Sequence, residues 1–207
     1  MASHATLLEF RTWCRASREQ VPAWKLCAVE DSGDGPAFFE SSLATSGQPT
    51  VEYTVEHTVE YTVAYFDPLT RLGEPAQIPT WPRPHQACWP TADLHFALCD
   101  PEKLELDPRW GVRMAPPGSR KASPDLVFVP CEAADSHGHR IGRGGGFYDQ
   151  LLSRYPDSHK VGVVHESRVY DSFPKHWIQT HDVAMDALWT DCNFYWISQA
   201  HSKRSTL

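Results

Sequence analysis

Leu126–Val129 is a continuous apolar run of strand length, and Val161–Val164 is a second; between them lie a loop, a glycine cluster and a helix-like stretch from Gly146 to Tyr155. Strand, glycine turn, helix and strand within about 40 residues make a βαβ unit, whose strands lie parallel and are joined by a right-handed crossover. The architecture expected is α/β.

The turn reads Arg-Ile-Gly-Arg-Gly-Gly-Gly-Phe-Tyr-Asp from Arg140 to Asp149. Gly142, Gly144, Gly145 and Gly146 remove the Cβ atoms where the chain must turn sharply and where a ligand could approach the backbone. Three consecutive glycines also cost conformational entropy that a plain connector need not spend. A helix starting near Gly146 would aim free N–H groups at the turn, and Arg140 and Arg143 would add charge-assisted donors, so phosphate is the natural ligand. A purely structural turn is the alternative, because the cluster is neither the Walker A loop nor the dinucleotide fingerprint. Asp149 falls in the first helical turn. There it is either a favourable helix-start carboxylate or, beside a triphosphate, a ligand for Mg²⁺, which takes one or two carboxylates along with phosphate oxygens and water.

The rest of the chain bounds the function. At 207 residues one compact unit is expected. The apolar fraction of 41% is that of a folded protein, while 17 Pro against 12 Gly imply long irregular connections. A formal charge of -7 without a basic stripe argues against nucleic acid, though local arginines could still hold a small anion. The six cysteines show no CxxC pair and no zinc spacing, so reduced thiols are expected; Cys131, just past a strand, is the one worth testing as a nucleophile. No window approaches the roughly 20 apolar residues of a membrane span, and the N-terminus has no signal-like stretch. A soluble, cytoplasmic protein is expected.

Between Ala5 and about Lys25, helical spacing of Leu7, Leu8, Phe10, Trp13 and Cys14 against Arg11, Arg15 and Arg18 predicts an N-terminal helix that ends near Pro22. Residues 31 to 49 read as loop. Thr50 to Phe66 is a four-residue unit in tandem with period-two alternation, which predicts a strand of which only the end, Val63 to Phe66, is central. Residues 67 to 123 are rich in Pro and Trp, with a short strand candidate at Leu94 to Leu98; Trp81 and Trp89 are expected in loop packing, with pterin stacking as an alternative. His137 and His139, next to the glycine turn, could lend pH sensitivity.

The segments Asp125 to Pro130 and Asp135 to Asp149, with Trp110-Gly111, Phe173-Pro174 and His181 to Thr190, resemble the 5-formyltetrahydrofolate cyclo-ligase (5,10-methenyltetrahydrofolate synthetase) family. The likeness is strong over residues 110 to 190. It implies a three-layer α/β/α sandwich with a mostly parallel central sheet, of the NagB/RpiA/CoA transferase kind, and a single domain over 1–207 with a divergent stretch at about 31–109. The activity implied is ATP- and Mg-dependent cyclisation of 5-formyltetrahydrofolate to 5,10-methenyltetrahydrofolate, releasing ADP and phosphate. Carried across, ATP would be bound by Arg11 and by Arg140, Ile141, Gly142, Arg143, Gly144, Gly145, Gly146, Phe147 and Tyr148. The folate would meet Arg143, Gly144, Gly145, Gly146 and Phe147, and Asp149 and Asp182 would hold Mg²⁺. The partners implied are ATP and a reduced folate, with neither nucleic acid nor membrane, for a monomer or small homo-oligomer.

Two positions depart from the family pattern. Its N-terminal helix carries a lysine four residues before the arginine matched by Arg11, and Leu7 stands there. The acidic segment near Phe66-Asp67-Pro68-Leu69-Thr70 lacks its glutamate. Lys121 or Arg120 could supply a replacement cation. A catalytically impaired homologue that binds nucleotide or folate is therefore the alternative function.

Overall fold

A computed structural model of the chain describes residues 6–17, 26, 61–66 and 85–197. These belong to a compact unit formed by Met1–Cys27 and Glu60–Leu207; a second unit, Ala28–Val59, lies outside the described residues, as do the expectations for 18–25, for most of the tandem repeat and for 67–84.

Two helices are described, α1 (Leu7–Ala16) and α2 (Phe147–Leu152). Thirteen strands accompany them: β1 (Tyr61–Ala64), β2 (His85–Pro90), β3 (Phe96–Leu98), β4 (Glu105–Asp107), β5 (Val112–Met114), β6 (Lys121–Ala122), β7 (Leu126–Pro130), β8 (Ala133–Asp135), β9 (Arg140–Ile141), β10 (His159–Val163), β11 (Val169–Tyr170), β12 (Ala187–Trp189) and β13 (Phe194–Trp196). The main sheet has the order β13-β12-β10-β7-β1-β2-β3-β6. The five strands from β12 to β2 are mutually parallel; β13 and β3 run antiparallel to them, and β6 pairs antiparallel with β3. The α/β expectation is met, with a parallel centre and antiparallel margins.

The apolar runs make this centre. Strands covered on both faces read as unbroken hydrophobic segments, and all of β10, and all of β7 except Pro130, is buried. They pair parallel from Leu126↔His159 to Pro130↔Val163, with α2 in the crossover. Strand β1 lies on the other side of β7 and leads on to β2, away from β10. Between β1 and β7 the connections thus depart in opposite directions, which is the switch point where open α/β sheets leave a crevice at their carboxyl ends.

The end of the tandem repeat is central, as its position suggested: Val63, Ala64, Tyr65 and Phe66 are all buried. Three local expectations are corrected. The Trp89 segment is not loop packing but β2, inserted between β1 and β3; Trp89 is 2% exposed and its Nε1 donates to the Cys99 carbonyl at 3.1 Å, so it stacks on no ligand. Helix α1 ends at Ala16, before the end expected near Pro22, where Arg168 caps it, its Nη2 donating to the Ser17 carbonyl at 3.1 Å and to Ser17 Oγ at 2.9 Å. Helix α2 stops at Leu152, three residues early, as Tyr155 precedes Pro156 and a residue before proline is pushed out of helical geometry.

Helix α1 opens with a capping box in which Glu9 N–H donates to Thr6 Oγ1 and Thr6 N–H donates to the Glu9 carboxylate. Its buried Phe10 and Cys14, four apart, sit on Ala133, Ile141, Phe173 and Trp177, residues of the small β11-β8-β9 sheet and of the segment after it. Leu7 packs against the same cluster. Burying this stripe turns Arg11, one residue on from Phe10, toward the glycine turn.

Candidate anion-binding cleft

After β7 the chain makes the β8–β9 hairpin and returns through the glycine turn into α2. The hairpin is fixed by Asp135, which is fully buried and accepts from the backbone N–H of His137, His139 and Phe173 and from His139 Nδ1. Phe173 opens the segment that carries Trp177, Gln179, His181 and Asp182, so one carboxylate ties the hairpin to that wall. His139 serves this anchor, and neither it nor His137 lines the cleft.

The cleft holds about 250 Å³ and lies at the switch point: Phe66, just past β1, and Pro130, Cys131 and Glu132, at the end of β7, form its floor. Every residue from Arg140 to Asp149 lines it, and so do Arg11 and Asp182. Sites named from separate parts of the sequence therefore meet in one cavity. Trp110 closes one side; its ring lies 3.6 Å from where a Cβ on Gly145 would stand and packs on Phe147 at 4.9 Å between centroids.

The glycine turn is open backbone. Gly144 and Gly145 are exposed, and the N–H groups of Gly144, Gly145 and Gly146 donate to no acceptor among the described residues. Gly144 has φ +93 and Gly146 φ +68, conformations that glycine adopts without strain. Arg11 lies across this turn, its Nη1 3.6 Å from where a Cβ on Gly144 would stand. The Arg11 Nε is buried with no hydrogen-bond partner, and the side chain pairs with no carboxylate among the described residues.

The two arginines of the turn are held differently. Arg140 donates from Nη2 to Asp149 Oδ1 at 2.7 Å and from Nη1 to the Val183 carbonyl at 2.5 Å, and Val183 N–H donates to the same Asp149 oxygen at 3.2 Å. Arg143 donates from Nε to Glu132 Oε1 at 3.4 Å. Asp182 accepts from Gln179 N–H through Oδ2 at 2.8 Å, with His181 Nε2 3.9 Å from Oδ1.

Two expectations fail at this site. Burial pushes the Cys131 thiol up to about 12, and its Sγ donates to the Val129 carbonyl, so it is an inert core group and no nucleophile. Lys121 pairs with Asp93 at 3.2 Å on the surface, and neither it nor Arg120 reaches the cleft. Glu132, Trp177 and Phe66 line the cavity without having been singled out. For Glu132 the signal was its place immediately past the end of a central strand.

The parallel sheet opens, at its switch point, onto open backbone N–H groups, arginines and carboxylates, a setting that in α/β folds suits an anionic ligand. Residues 81–191 match the model of the 5-formyltetrahydrofolate cyclo-ligase family, more than half of the chain, and the chain belongs to that family. It is 28% identical over 182 residues to the 5-formyltetrahydrofolate cyclo-ligase of Mycolicibacterium smegmatis, covering 86% of this chain and 89% of that protein. It is 31% identical over 86 residues to the Escherichia coli K12 protein of the same name, covering 41% and 44%. Its fold is similar to the solution structure of Aquifex aeolicus 5,10-methenyltetrahydrofolate synthetase, with a TM-score of 0.59 and 21% identity over 92% of both chains.

Proposed function

We propose that the protein is an ATP-dependent ligase that cyclises 5-formyltetrahydrofolate to 5,10-methenyltetrahydrofolate with release of ADP and phosphate. The observation that carries this is the convergence of Arg11, the glycine turn, Asp149 and Asp182 on one cleft in a chain of the cyclo-ligase family.

In the reaction the formyl oxygen attacks the γ-phosphorus and displaces ADP, N10 adds to the activated carbon and gives up its proton, and phosphate leaves as the methenyl bridge forms. No side-chain nucleophile is needed, so the protein's part is positioning and charge neutralisation. The open N–H groups at Gly144 to Gly146 and the Arg11 guanidinium face the polyphosphate. Trp110, Phe147 and Tyr148 offer flat apolar surface to a ring system and keep water from the activated carbon. Asp149 and Asp182 suit Mg²⁺, because each holds one oxygen in a protein hydrogen bond while the other makes no hydrogen bond to a described residue, and two carboxylates match what the ion takes beside phosphate. When bound there, Mg²⁺ would neutralise phosphate charge.

The test is a spectroscopic assay. Protein with ATP, Mg²⁺ and 5-formyltetrahydrofolate should raise the methenyl absorbance band; a flat trace at high protein concentration, with folded protein, sinks the reaction.

A second reading, a binder without turnover, is favoured by one residue. Leu7, one turn before Arg11, is packed into the aromatic cluster under α1 and brings no charge to the phosphates. Saturable binding of ATP and folate by calorimetry, without product, selects it.

A further inference from the structure

Arg140 and Arg143 stand three residues apart on one turn, and each is tied to a carboxylate, Arg140 through Nη2 and Arg143 through Nε. Arg140 commits both terminal nitrogens to protein oxygens and its side chain is 5% exposed. Arg143 is held through Nε by Glu132, and its side chain is 32% exposed while that of Glu132 is 14% exposed. A guanidinium is a rigid planar fork, so a carboxylate that fixes Nε sets the direction in which the rest of the fork points. Arg143 also sits between Gly142 and Gly144, where the backbone does little to hold it, Gly144 being at φ +93.

Both carboxylates lie where their charge matters. Stripping a mostly buried carboxylate of its cation is strongly unfavourable, so an arriving anion shares Arg143 with Glu132 and does not take it away. Given the nucleotide-binding function proposed above, we infer that Glu132 is a positioning residue, which holds Arg143 over the glycine turn as the arginine that grips the ATP phosphates. Arg140 has the other duty, keeping Asp149 in place.

The sign of one substitution separates this from simple electrostatics. If Glu132 only repelled the polyphosphate, neutralising it would tighten binding; as a positioning residue, its loss loosens binding.

Calorimetric titration of MgATP into the wild-type protein, Glu132→Gln, Arg143→Ala and the double variant tests this, with thermal unfolding to confirm that each is folded. Glu132→Gln should weaken binding about tenfold and Arg143→Ala by more, and in the Arg143→Ala background Glu132→Gln should add less than about twofold. Glu132→Ala should loosen binding in the same direction. Unchanged or tighter binding by Glu132→Gln overturns the inference alone, as does a loss that persists in the Arg143→Ala background. Absence of MgATP binding by the folded wild-type protein overturns the proposed function and this inference together.

Discussion

Gly138 illustrates how little freedom the residues around the cleft have. It turns the β8–β9 hairpin at φ +85, its N–H donates to the Asp135 carbonyl, and its own carbonyl accepts from Met185 N–H at 2.8 Å, which fastens the hairpin to the segment carrying Asp182. A Cβ here would stand 2.4 Å from the Met185 carbonyl oxygen, a backbone atom with no rotamer to escape into. Gly138→Ala should therefore cost about 3 kcal/mol of stability, from strain and displaced backbone together, read as a lower urea midpoint with an unchanged slope. Thiol chemistry gives a second residue-level test. Burial raises the Cys131 pKa, so the native state favours the neutral thiol; that contribution is whole below the ordinary thiol pKa of about 8.5 and is lost as pH climbs toward about 12. Alkylation at pH 8 should label exposed Cys192 within minutes and leave Cys131 unmodified until the protein unfolds. At this scale the sequence was readable where chemistry is local. Four glycines and two arginines in one short run announce an open, cationic turn. The Glu132–Arg143 pair was not readable, since it joins residues 11 apart across a hairpin whose two-residue strand β9 has no periodicity to detect.

Among the elements, α1 matters most to the cleft because it brings Arg11 from the far end of the chain. Its hold on the fold rests on the Phe10 and Cys14 stripe and on Arg168, which is 6% exposed, caps Ser17 and lies over the Trp13 ring at 4.7 Å. A cation beside the last helical carbonyls is also favoured by the helix dipole. Replacing Arg168 with Met keeps the apolar contact with Trp13 but removes the cap, a loss of about 2 kcal/mol. Hydrogen exchange should then show faster α1 amides while β7 and β10 stay protected, and MgATP binding should weaken in step. The same element shows where legibility ended. The start of α1 was visible in its heptad-like spacing, yet its stop was not, because the group that caps it lies 151 positions away. Strands β7 and β10 were visible as apolar runs since both faces are covered. Strand β2, His-Gln-Ala-Cys-Trp-Pro, carries neither a run nor an alternation and ends in proline, so only its place between β1 and β3 makes it a strand.

Across the whole molecule the cleft is an assembly of distant parts: α1, the ends of β1 and β7, the glycine turn and the segment around Asp182. Arg11, Arg140 and Arg143 face the carboxylates of Glu132, Asp149 and Asp182, so the lining is formally balanced among the described residues. Two of the arginines are already paired, which leaves Arg11 as the cation without a carboxylate among the described residues. A polyphosphate entering such a site gains from Arg11 directly and from Arg143 by sharing it with Glu132, and the carboxylates are offset by a divalent cation. Binding at this junction also stabilises the fold, since a ligand held only by the native state adds about 2.7 kcal/mol at a hundred times its dissociation constant. For a fold of this size that is a rise in Tm of about 5 to 10 °C with MgATP. Omitting Mg²⁺ should remove most of the rise, and Arg11→Met should remove most of it too while leaving the nucleotide-free Tm within about 2 °C, because the Arg11 Nε has no hydrogen-bond partner among the described residues. A full MgATP shift in Arg11→Met, measured by differential scanning calorimetry, would mean that the phosphates sit elsewhere.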